Sequence, residues 1–259
     1  IESHTFDNCS SLKSLTVPTS VTTIGEYAFF QCTSLASINL SETLTNIGIY
    51  AFRGCESLKA IHIPASTSLA ANPFMGCDNL SEITVDSANP LYSAEDGVLY
   101  SKDKTTIISC PGKSSFKIPD NVTAIGEYAF AQSIISSIDF GNNVTTIGNG
   151  AFVFCENLKT IDIPNSVTTI GQNAFDGCSS LESASIGNSV VSIEEYTFLG
   201  CTNLKNVNIG NSVVEIEAHA FQACSSLTNI EIPNSTKIIC GQAFDYCSNL
   251  TSVTLGSAV

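Results

Sequence analysis

Residues 158–178, LKTIDIPNSVTTIGQNAFDGC, place apolar side chains at Leu158, Ile161, Ile163, Val167, Ile170, Ala174 and Phe175 and end on Cys178, with small or polar residues between them. A segment this short cannot enclose a core. It has to stack on copies of itself, so copies should lie on either side.

They do. AIGEYAFAQS at 124–133 nearly repeats TIGEYAFFQC at 23–32, and the phenylalanine recurs at Phe6, Phe29, Phe52, Phe74, Phe130, Phe152, Phe175, Phe198, Phe221 and Phe244. The steps are 22 or 23 residues except for the step from Phe74 to Phe130. A period near 23 makes the repeat the protein, and one solenoid spanning 1–259 is expected. Residues 1–9, IESHTFDNC, align with IEEYTFLGC at 193–201, so the chain begins in mid-repeat and reads as a piece of a longer array.

Within a copy, Thr160-Ile161-Asp162-Ile163 alternates polar and apolar, the signature of a half-buried strand. Eleven such positions occur, with inward pairs from Leu15/Val17 to Val253/Leu255, and they should stack as a parallel sheet. Pro18, Pro64, Pro119, Pro164 and Pro233 follow the strands and end them. A second short extended piece buries Val167 and Ile170. The AFDGC arc then reads as a turn of helix or 3₁₀ that puts Phe175 and Cys178 on one inward face. The expected fold is therefore α/β: a right-handed solenoid of about eleven coils, a parallel sheet on one face and short helical or 3₁₀ turns on the other. The slot holding Gly25, Gly48, Gly126, Gly148 and Gly171 holds Glu2, Glu194, Glu217 and Cys240 in other copies, which predicts ordinary dihedrals there.

Nine of the eleven cysteines fall three residues after the anchor phenylalanine, with Ser133 in the remaining copy. Identical side chains on stacked backbones point the same way, so these read as buried thiols serving as small hydrophobes. Cys110 and Cys240 fall outside the column and are the candidates for reactivity. No C-x-x-C or Cys/His pair with zinc spacing occurs, and no metal or other cofactor is expected.

The irregular step from Phe74 to Phe130 contains DSANPLYSAEDGVLYSKDKTTIISCPGK. GVLYS and TTIIS flank the turn KDK and read as a β-hairpin inserted in one coil, about residues 86–119.

Ten Lys and Arg stand against 24 Asp and Glu, a formal charge of -14, and the basic residues are scattered, which excludes a nucleic-acid surface. No apolar run reaches the roughly 18 residues of a membrane-spanning helix. No nucleophile elbow, P-loop, H-E-x-x-H or G-x-G-x-x-G occurs, so no enzymatic activity is expected.

The pattern L-x-x-I-x-IP-x-S-V-x-x-IG-x-x-AF-x-x-C, together with NPLYSAEDGVLYSKDKTTIISCPGK running into IPDNVTAIGEYAF, resembles the BspA-like leucine-rich repeat proteins of anaerobic bacteria and some protozoan parasites. The Cys-rich GCSSL text is closer to the protozoan members. The resemblance implies a surface-exposed or secreted adhesin-type protein that contacts host or matrix proteins, other cells or the organism's own surface, without catalysis; the expected partner is an extracellular or host protein, with a glycan as the alternative. Two other readings stand beside it: a structural spacer array, and a glycan-processing enzyme using Asp139 and Asp162 on neighbouring strands.

Two candidate binding surfaces follow from the residues. The outward strand positions form one polar row that includes Asn39, His62, Asp139, Asp162, Asn208 and Glu231. The hairpin offers Tyr92, Tyr100, Lys102 and Lys104. A third row, His4, Tyr27, Tyr50, Tyr128, Tyr196 and His219, reads as aromatics stacked across coils.

Overall fold

The period-two runs become strands. In a computed structural model that describes residues 1–259, Ile161 is buried while Thr160 and Asp162 on either side are exposed, and the inward residue is less exposed than its two neighbours in every main-face strand but the last, Ser252–Thr254, where all three positions are exposed. The chain divides into two units, Ile1–Lys113 with Gly126–Ser133, and Ser114–Ile125 with Ile134–Val259. The first carries strands Ser14–Thr16, Ser37–Asn39, Ala60–Ile63 and Glu82–Val85 on its main face. The second carries Ser115–Lys117, Ser137–Asp139, Thr160–Asp162, Ser183–Ser185, Asn206–Asn208, Asn229–Glu231 and Ser252–Thr254. All eleven positions lie where the repeat puts them.

Pairing is parallel and in register with the repeat. In the first unit Leu15 lies opposite Ile38 and Ile61 opposite Ile83. In the second, Ile161 lies opposite Ala184, Ala184 opposite Val207, and Ile230 opposite Val253. A slip by one residue would turn the aliphatic row out to solvent, so burial enforces this register. The second extended piece forms a minor parallel ladder in each unit, with Ile24 opposite Ile47 in one and Ile193 opposite Ile216 in the other.

The arc holding the anchor phenylalanine corrects the expected class. It contains no helix, and each unit is a β-solenoid, about ten turns in all, in place of the expected α/β fold with helical or 3₁₀ turns. The hydrogen bonds give the reason. The N–H groups of Ala28, Phe30 and Cys32 donate three residues back, to the carbonyls of Gly25, Tyr27 and Phe29, while those of Tyr27, Phe29 and Gln31 donate to Ile49, Ala51 and Arg53 of the next coil. Donors alternate between local turns and the neighbouring coil, so no i to i−4 series can run. Tyr27 and Gln31 have φ of 53° and 55°, which a helix forbids and which the third position of a type II turn requires. The arc is three linked β-turns. As expected, none of Gly25, Gly48, Gly126, Gly148 and Gly171 has positive φ. The left-handed positions lie instead two before and two after the anchor phenylalanine, where Gly54, Gly76, Gly177 and Gly200 sit.

The core consists of columns. Phe29 and Phe52 stack with centroids 5.3 Å apart and planes within 1°; Phe152, Phe175, Phe198 and Phe221 stack at 5.2–5.5 Å in the second unit. Beside them runs the thiol column. The Sγ atoms of Cys55 and Cys77 donate to the carbonyls of Phe29 and Phe52, and those of Cys178, Cys201 and Cys224 to Phe152, Phe175 and Phe198, all at 3.1–3.2 Å. The column thiols are buried, as the repeat predicts, except the exposed Cys9; of the two cysteines outside the column, Cys240 is half-buried, but Cys110 is fully buried, which corrects the reactivity expected of it.

The inserted segment holds an antiparallel meander. Val98–Ser101 pairs with Thr106–Ser109, as expected, and also with Tyr92–Glu95. The added turn is Asp96-Gly97, with φ of 49° and 76°, the two positive values of a type I′ hairpin turn.

Candidate binding face

Because successive side chains on a strand point to opposite faces, the residue between two buried aliphatics must project outward. In the first unit this exposes Asn39 and His62 beside Thr84, and the imidazole Nδ1 of His62 lies 2.9 Å from the Thr84 hydroxyl. A shallow hollow of about 410 Å³ runs along these strands, lined by Asn39, His62, Glu82 and Thr84 among others.

In the second unit the row contains Asp139, Asp162, Ser185, Asn208 and Glu231. All are exposed except the half-buried Ser185. Asp162, Ser185 and Asn208 line one hollow of about 440 Å³, flanked by Thr160, Ser183 and Asn206; Asn208 and Glu231 line another of similar size with Thr254. The fold thus gathers Asp162 with Asn208, and Asn208 with Glu231. The carboxylate of Asp139 accepts a hydrogen bond from the Gly141 N–H at 2.9 Å.

The hairpin candidates are engaged within the first unit. Tyr100 is 4% exposed, and burial pushes its hydroxyl pKa up to about 12. The Tyr92 hydroxyl accepts from Leu69 N–H at 3.1 Å and lies 3.4 Å from the Leu69 carbonyl. The Lys102 ammonium donates to the Ser87 and Asn89 carbonyls at 3.1 and 2.6 Å, and Lys104 pairs with Glu95 at 2.8 Å. The aromatic row stacks across coils: His4 on Tyr27 at 5.0 Å, Tyr27 beside Tyr50 at 5.0 Å, and Tyr196 on His219 at 4.9 Å.

One feature of the face escapes strand-by-strand reading. Asn165, Asn188 and Asn211 form a ladder at its rim, in which Asn188 N–H donates to the Asn165 side-chain oxygen at 2.7 Å and Asn211 N–H to that of Asn188 at 2.8 Å. The signal is the N-S pair at 165–166, 188–189, 211–212 and 234–235, which recurs at the repeat period.

Parallel strands in repeat register, an outward polar row and an inward aliphatic column define a leucine-rich repeat. The chain belongs to the BspA-type leucine-rich repeat family, matching its repeat region (six copies) over residues 1–113, 108–213 and 168–259. It is similar to a leucine-rich repeat protein of Eubacterium ventriosum, with 28% identity, a TM-score of 0.70, and 96% of this chain and 81% of that one covered. It is also similar to a leucine rich cell surface protein of Faecalibacterium prausnitzii, with 30% identity, a TM-score of 0.70, and 98% and 62% covered. The pneumococcal vaccine antigen PcpA shares the fold at 24% identity and a TM-score of 0.62, with 99% and 70% covered. No curated protein matches the chain. No helix is long and apolar enough to cross a membrane.

Proposed function

We propose that this chain is a non-catalytic binding module of a surface or secreted protein, and that it recognises an extracellular, host or cell-surface protein through its polar strand face. The observation that carries this reading is the second-unit row, where Asp162, Asn208 and Glu231 project side by side over open hollows. Short polar side chains fixed on a rigid sheet lose little entropy when a partner docks. Family membership and the likeness to a cell surface protein support the location. The hairpin side chains already hold partners of their own, which ranks them below the face.

The test is surface plasmon resonance against a panel of matrix and cell-surface proteins, comparing the wild type with a triple variant, Asp162→Ser, Asn208→Ser and Glu231→Ser. Loss of binding in the triple variant, with binding kept by Lys102→Ala, supports the face. Equal binding by the triple variant and wild type overturns it.

A further inference from the structure

The repeat slot that holds Gly48, Gly126 or Gly171 elsewhere holds Glu217 and Cys240 in two successive coils of the second unit. The slot is tight: a Cβ built on Gly48 would approach Glu26 N to 2.6 Å. The Cys240 N–H is tied to the Ile216 carbonyl at 2.8 Å, and Glu215 lies two residues before Glu217 on the same strand edge.

The result is a convergent trio. The Cys240 Sγ lies 3.6 Å from a carboxylate oxygen of Glu215 and 3.6 Å from one of Glu217, and one donor atom from each residue lies within 4.8 Å of the others. All three residues are half-buried. The ion pair of the second unit joins Lys205 to Glu182, so neither Glu215 nor Glu217 has a cationic partner. Two carboxylates held this close without a counter-charge repel each other, and a cation is what relieves the repulsion.

We infer that Glu215, Glu217 and Cys240 form a binding site for a borderline-soft divalent cation of the zinc type. With Zn–S of about 2.3 Å and Zn–O of about 2.1 Å at a tetrahedral angle, the sulfur-to-oxygen edge comes to about 3.6 Å, the separation found here on both edges. Three protein donors leave a fourth position for water. Calcium, which takes about six to eight oxygens, is poorly served by this set, and a thiolate selects against magnesium. Binding replaces the thiol S–H bond with a sulfur–metal bond and releases the proton to solvent.

The experiment titrates the reduced protein, in a Cys9→Ser background that removes the exposed thiol, with Zn²⁺ by calorimetry and with Cd²⁺ by ultraviolet absorption. The expected result is one equivalent bound, a thiolate-to-cadmium charge-transfer band, and slowed alkylation of Cys240 by iodoacetamide when Zn²⁺ is present. Cys240→Ser abolishes the band, and Glu217→Gln weakens Zn²⁺ binding by at least about tenfold, while Ca²⁺ and Mg²⁺ at the same concentrations do not compete. Absence of a band in the Cys9→Ser protein, a band that survives Cys240→Ser, or unchanged alkylation of Cys240 overturns the site. The alkylation readout needs no change at the site, so a variant that misfolds does not shelter the inference.

Discussion

The thiol of Cys178 donates to the carbonyl oxygen of Phe152 at 3.2 Å, and the same oxygen accepts the backbone N–H of Cys155 at 3.1 Å. Cys155 belongs to the coil of Phe152 and Cys178 to the next one. The carbonyls of Phe6, Phe29, Phe52, Phe175, Phe198 and Phe221 likewise use one lone pair to close their own turn and the other to hold the following coil. This accounts for a cysteine column in a protein whose ladder cysteines form no disulfides: the side chain is apolar enough to be buried and still carries one donor.

Shortening Cys178 to Ala removes the sulfur contacts and that donor. The loss should be about 1–2 kcal/mol, the range for a small buried truncation with a weak hydrogen bond. Cys178→Ser should lose less, because Ser133 fills the same slot, buried, with its N–H on the Phe130 carbonyl. Urea unfolding of the two variants checks the order.

Thiol reactivity should divide sharply. Burial holds Cys178, Cys201 and Cys224 protonated well above the ordinary thiol range, while Cys9 is exposed and Cys240 half-buried. Iodoacetamide on the native protein followed by peptide mass spectrometry should label Cys9 and Cys240, and the remaining cysteines only after denaturation.

The same shifts give an alkaline limit. A thiol whose folded pKa exceeds its unfolded value of 9.0 keeps its proton in the fold while the unfolded chain releases it. The contribution to stability is complete below pH 9 and declines as pH rises toward the folded pKa. Each fully buried thiol should cost up to about 1.4 kcal/mol per pH unit in that window. Thermal melts from pH 7 to 10.5 should be flat at first and fall steeply above pH 9.

Phe175 is sandwiched between Phe152 and Phe198, with centroids 5.2 and 5.5 Å away. Phe175→Ala should cost about 3–5 kcal/mol. In a solenoid, stability is carried by neighbour-to-neighbour interfaces, so this cut weakens two of them at once. Calorimetry should show a broadened or split transition, whereas Phe6→Ala in the first coil, stacked on one side by Phe29, should lower Tm without splitting it.

Left-handed positions offer a two-way check. Ala223 has φ of 60°, and Ala223→Gly should stabilise by about 0.5–1 kcal/mol because glycine adopts that region without the Cβ clash. Gly177 has φ of 68°, and a Cβ there would run into the Phe154 ring, so Gly177→Ala should destabilise by more than about 1 kcal/mol. Paired denaturation curves decide both signs.

Much of this was open to a reader of the chain. Strand alternation such as Thr160-Ile161-Asp162 depends on nearest neighbours along the backbone, and the 22- or 23-residue step of the phenylalanines sets the stacking register. The outward row, including Asp162 and Asn208, follows from the same alternation. The arc does not. AFDGC carries helix-like apolar spacing, and what excludes a helix is that Phe175 N–H has a better acceptor in Thr197 of the next coil than any carbonyl behind it. The Asp96-Gly97 pair is a hairpin signal in the sequence, but the strand before it, Tyr92–Glu95, has no branched aliphatic residue to mark it.

By itself, then, the amino-acid order determined the repeat, its strands, the buried columns of phenylalanine and cysteine, and the family, because each rests on short-range periodicity. Only the stacked structure decided that the connecting arcs are turns rather than helix, and that Glu215 and Glu217 converge on Cys240. Both outcomes rest on contacts between atoms about one full coil apart in the chain, and a pattern read along the backbone does not contain them.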